Sequence, residues 1–72
     1  MFVIYNGQAI NLARFTQFFV QGQAIRFVES ENTSDDGNYI DLYFDNESPA
    51  KHAFKMIVEA LGRGDRTIEL FI

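Results

Sequence analysis

Between Ala50 and Leu61 the apolar residues Ala50, Ala53, Phe54, Ile57, Val58 and Leu61 fall at i, i+3, i+4, i+7, i+8 and i+11. This spacing makes one continuous stripe along about three helical turns. The rest of the chain reads mainly in period two, the spacing of strands. A single amphipathic helix with no second helix to receive it has to bury its stripe against a sheet, so the expected class is α+β. Asp45, Asn46 and Ser48 can accept from free N–H groups and Pro49 suits a first helical turn, which places the start near Ser48. Gly62 or Gly64 can take the left-handed cap, with Arg63 and Arg66 near the negative end of the helix dipole.

The strands follow from turn chemistry. Asn6-Gly7 lies between Phe2-Val3-Ile4-Tyr5 and Gln8-Ala9-Ile10, and supplies the two positive-φ residues of a type I′ hairpin. A two-residue loop sets Tyr5 opposite Gln8, Ile4 opposite Ala9 and Val3 opposite Ile10. The second strand is expected to run on through Leu12 to Val20, with a bulge or bend near Arg14 to Gln17 to keep Arg14 and Thr16 off the apolar face. Gly22-Gln23 as a type II′ loop pairs Val20 with Ile25 and Phe18 with Phe27, and is preferred over the register set by Gln21-Gly22. A third strand from Ala24 to Glu29 ends in the polar loop Asn32-Thr33-Ser34-Asp35-Asp36-Gly37-Asn38. A fourth, Tyr39 to Phe44, points Ile40, Leu42 and Phe44 inward and Tyr39, Asp41 and Tyr43 outward. Thr67 to Ile72 alternates again and is expected as a fifth strand, antiparallel to the first. The fold expected is one α+β domain over 1–72: an antiparallel four- to five-stranded sheet (ββββαβ, order 5-1-2-3-4) with one C-terminal amphipathic helix packed on one face.

With 72 residues and no cysteine, the chain has room for one core and no disulfide to support it, so oligomerisation is a natural supplement. Neither a signal-peptide pattern at Met1 to Tyr5 nor an apolar run long enough to span a bilayer is present, and a cytoplasmic setting with no membrane association is the expectation. The Asn32-Thr33-Ser34 and Asn46-Glu47-Ser48 sequons then read as turn residues. Charge is uneven: Glu29, Glu31, Asp35, Asp36, Asp41, Asp45 and Glu47 share a segment without Lys or Arg. An acidic side would repel nucleic acid and could meet a basic protein partner.

No enzyme, cofactor or metal site is expected. The chain's one histidine, His52, falls on the polar side of the helix beside Lys51 and Lys55. Asp35-Asp36-Gly37-Asn38 lacks the ligand spacing of a calcium loop. Gly62-Arg63-Gly64 follows a helix instead of opening one, and Arg63-Gly64-Asp65 is a three-residue match to adhesion loops with no secretory context.

The informative feature is the sheet face turned away from the helix. It is expected to collect Phe19, Arg26, Val28, Tyr39, Tyr43 and Phe71, with Asp41 and with Tyr5 or Ile4 according to twist. One helix covers one face, and an exposed aromatic patch on a small protein marks an interface. The expected function is a small non-enzymatic interaction or accessory module that homodimerises through its sheet. The alternative is single-stranded nucleic-acid binding, with Phe19, Tyr39 and Tyr43 stacking bases beside Arg26, against which stand Asp35, Asp36 and Asp41.

Overall fold

The computed structural model describes residues 1–29 and 38–70. The expected polar loop lies outside them apart from Asn38, as do Phe71 and Ile72 of the expected last strand.

Strands β1 (Phe2–Tyr5) and β2 (Gln8–Asn11) form the hairpin that Asn6-Gly7 demands. Asn6 and Gly7 take φ of 54° and 82°, and the pairing is Val3 with Ile10, Ile4 with Ala9 and Tyr5 with Gln8. Val3 and Ile10 share the buried face.

The second strand does not run on to Val20. It ends at Asn11, whose Oδ1 accepts from the Ala13 N–H at 3.0 Å and caps a 3₁₀ turn over Leu12–Arg14. A short polar side chain here offers the backbone an alternative to the strand ladder. The turn resolves the conflict read from the sequence, because Arg14 and Thr16 stay in water and the chain re-enters a sheet as a new strand, β3 (Gln17–Gln21).

That break also overturns the single sheet of order 5-1-2-3-4. Two three-stranded sheets form among the described residues, β2-β1-β6 and β3-β4-β5, where β4 is Ala24–Val28, β5 is Tyr39–Tyr43 and β6 is Thr67–Glu69. Strand β6 does lie beside β1, but parallel to it, with Val3 opposite Ile68. Up-and-down alternation predicts strand direction only through one continuous sheet, and the 3₁₀ turn interrupts it. In the second sheet Gly22 takes positive φ and Gln23 does not, as a type II′ loop requires. Val20 pairs with Ile25 and Phe18 with Phe27, the preferred register.

Helix α1 (Glu47–Arg63) is capped by Asn46, which accepts from the Ser48 N–H at 3.0 Å. It closes at Gly64, in the left-handed region at φ 80°, whose N–H returns to the carbonyls of Ala60 and Leu61. The helix seats itself more tightly than its stripe suggests. Ala50, Ala53, Ile57 and Ala60 are buried and Phe54 is half-buried, whereas Val58 and Leu61 stay nearly half exposed. Three alanines let the helix backbone come close to the sheet, and a stripe this wide then exceeds the contact seam.

Both sheets and the helix enclose one core, with Val3, Ile25, Phe27 and Ile57 fully buried at its centre. Phe18 stacks on Phe27 at 5.4 Å and meets Phe54 of α1 at the same distance. The sheets are joined at one corner, where Tyr5 of β1 stacks on Phe44 at 4.7 Å and donates its hydroxyl to the Tyr43 carbonyl at 3.3 Å.

Candidate interface on the second sheet

Because side chains alternate across a strand, the register of β3-β4-β5 fixes what its outer face carries. Three rows result: Gln17, Val28 and Tyr39; Phe19, Arg26 and Asp41; Gln21, Ala24 and Tyr43. Phe19, Arg26, Val28, Tyr39 and Tyr43 are therefore brought together as expected, while Phe71 falls outside the described residues. Tyr5 is not part of this face, since it turns inward onto Phe44.

The middle row holds the electrostatics. Arg26 donates from Nε to Asp41 Oδ1 at 2.8 Å and from Nη2 to Oδ2 at 2.9 Å, a bidentate fork. The guanidinium also covers the Tyr39 ring, 3.9 Å from its centroid. From the other side the Tyr43 hydroxyl donates to Asp41 Oδ2 at 3.2 Å. The hydrogen bonds from Arg26 hold the Asp41 carboxyl below its usual range against the opposing effect of burial, and the Tyr43 hydroxyl helps. Donation to Asp41 in turn raises the Tyr43 hydroxyl above its ordinary value, and the same carboxylate raises Arg26. Tyr39 and Tyr43 remain 53% and 63% exposed.

This arrangement is a closed ion pair flanked by two exposed rings. Its carboxylate is satisfied and ionised, so it supplies neither a general base near neutral pH nor a nucleophile. His52 stands on the exposed side of α1. Arg63 spends its guanidinium on Asp65 at 2.9 Å within the Arg63-Gly64-Asp65 tripeptide. Among the described residues no three His, Cys, Asp or Glu side chains gather as a metal site, and no helix is long and apolar enough to cross a membrane.

The acidic segment is less acidic in space than along the chain. Of its described members, Glu29 pairs with Arg14 at 3.0 Å, Asp41 with Arg26, and Glu47 with Lys51 at 3.6 Å. Strand pairing brings Arg14 and Arg26 to their partners from outside the segment, and one turn of α1 brings Lys51 to Glu47, none of which a linear count of charge registers.

Sequence reasoning missed a second feature. Between β3 and α1 an open apolar groove of about 470 Å³ is walled by Leu12, Phe15, Phe18, Phe54, Val58 and Leu61. Its signal was present in two places: the outer edge of the helix stripe, and the uncharged run from Phe15 to Ile25 between Arg14 and Arg26. No protein-family model, no curated protein and no solved structure matches this chain.

Proposed function

We propose that the protein is a small non-enzymatic interaction module that self-associates through its second sheet. The observation that carries this reading is that α1 covers β3-β4-β5 on one face only, leaving Tyr39 and Tyr43 more than half exposed on the other beside an ion pair already closed on itself. The chain as a whole carries a net charge of −4, so two copies repel through most of their surfaces. A sheet surface whose charges cancel locally is where a second copy meets least repulsion. Single-stranded nucleic acid is the weaker reading, since Arg26 is committed to Asp41 and lies over one face of Tyr39, leaving no free cation beside the two rings for phosphate.

Light scattering on a sizing column over a wide protein range tests the proposal. The expected result is a mass that rises with concentration from 8.3 kDa towards twice that value. A mass that stays at the monomer throughout overturns it.

A further inference from the structure

Resting on the self-association just proposed, but moving its contact from the outer face to the strand edge beside it, we infer that the second copy joins at the free edge of β3, strand against strand about a twofold axis at Phe19, and that the contact closes the groove beneath that edge. Strand β3 pairs with β4 on one side, and among the described residues no strand pairs with its other side. The two-residue loop at Gly22-Gln23 makes Gln21 and Ala24 a hydrogen-bonded pair. By antiparallel alternation Phe19 and Gln17 also face β4, so the N–H and C=O groups of Phe18 and Val20 point out at the open edge.

Natural sheets protect such an edge with a charge, a proline or a bulge. From Phe15 to Ile25 this chain has no charged residue and no proline. The other edges are not equivalent: β5 carries the ion-paired charge of Asp41, β6 is three residues long, and β2 is four residues long and ends in the 3₁₀ turn.

The edge is complementary to itself. Antiparallel pairing about Phe19 sets Phe18 opposite the partner's Val20 and Val20 opposite the partner's Phe18, and the four outward N–H and C=O groups of each copy find partners. Phe19 then faces the partner's Phe19 across a close, non-hydrogen-bonded position. An exposed row of backbone bonds adds little affinity without apolar area, and the groove supplies that area. Phe18 belongs to both features, with its backbone at the edge and its ring in the groove wall. Val58 and Leu61, 45% and 44% exposed, line the same opening, so pairing at the edge covers the helix flank that the monomer leaves wet.

Three variants measured beside the wild type by light scattering, with circular dichroism as the check of folding, test this mode. Val20→Pro removes an outward N–H at a position where an edge strand tolerates proline. Leu61→Lys charges the groove without touching the strand, and decides the matter if Val20→Pro does not fold. Tyr43→Lys charges the outer face and not the edge. The expected result is a dimer for the wild type and Tyr43→Lys, with association weakened roughly tenfold or more in Val20→Pro and Leu61→Lys. A wild-type dimer that Tyr43→Lys breaks while Val20→Pro and Leu61→Lys leave it intact overturns the edge mode and keeps self-association through the outer face. A wild type that is monomeric throughout overturns both.

Discussion

The Arg26 guanidinium lies against the Tyr39 ring, 3.9 Å from its centroid, while both ends of its fork are held by Asp41. One side chain thereby ties β4 to β5 on the outer face, and the carboxylate it grips is the group whose protonation undoes the arrangement.

Asp41→Asn tests that dependence. The folded carboxyl titrates below the 3.8 of a free side chain. Its contribution to stability is therefore present above that value and is lost as pH falls through the lower folded value. Thermal unfolding followed between about pH 7 and pH 2 is expected to show the wild type melting higher than Asp41→Asn at neutral pH, with the gap narrowing in the acid range. A gap independent of pH would mean that the pair is not ionised in the fold.

The Tyr43 hydroxyl reports on the same network from the alkaline side. Its ionisation is pushed above the ordinary 10.0 because it donates to Asp41. In a phenol absorbance titration Tyr43 is expected to ionise late in the wild type and nearer its ordinary value in Asp41→Asn. Tyr43→Phe removes the donor, and the Asp41 carboxyl, followed by NMR, is expected to move up towards the usual carboxylate range.

Two neighbours on α1 separate the seam from the groove. Ile57 is fully buried and Val58 is not. Ile57→Ala is expected to lower unfolding free energy in urea by about 2–5 kcal/mol, through lost burial and the cavity left behind. Val58→Ala is expected to cost under about 1 kcal/mol in the monomer. Equal losses would place the helix in a different rotation on the sheet.

The glycines ending α1 make a second pair. Gly62 lies within the helix with open space where a side chain would begin, so Gly62→Ala is expected to stabilise by about 0.5–1 kcal/mol. Gly64 sits at φ 80° and has equal space around it, so the backbone alone sets its cost. Gly64→Ala is expected to destabilise by about 1 kcal/mol. Urea unfolding of the two variants is expected to shift in opposite directions.

Local chemistry made most elements legible. Asn6-Gly7 and Gly22-Gln23 set their hairpin registers because turn geometry leaves few options; the second register puts Phe19, Arg26 and Val28 on one face, and alternation with Ile40, Leu42 and Phe44 puts Tyr39 and Tyr43 on one side of their strand. The break at Asn11 was not legible. The Asn11 cap depends on one side-chain hydrogen bond, and nothing in period two distinguishes a strand that bends from one that ends. From that residue followed the wrong sheet count, and with it the wrong direction for β6. The pairing of Arg26 with Asp41 depends on the register of β4 with β5, which the long polar connection between them does not fix, and charge counted along the chain separates the two. The groove was hidden because a stripe's spacing gives its width and not the depth at which alanines let the helix settle.

The parallel pairing of β1 with β6 has a temporal side. Strand β1 is the middle strand of the first sheet, held by β2 on one flank and by residues 67–69 on the other. A ribosome delivers β1 and β2 first, and the hairpin can form at once from contacts close in sequence. The other flank of β1 then waits, unpaired, until more than fifty further residues have been synthesised and α1 has carried the chain back. The sheet begun first is thus the last to close, and a chain that stalls before Thr67 displays the open flank of its own N-terminal strand.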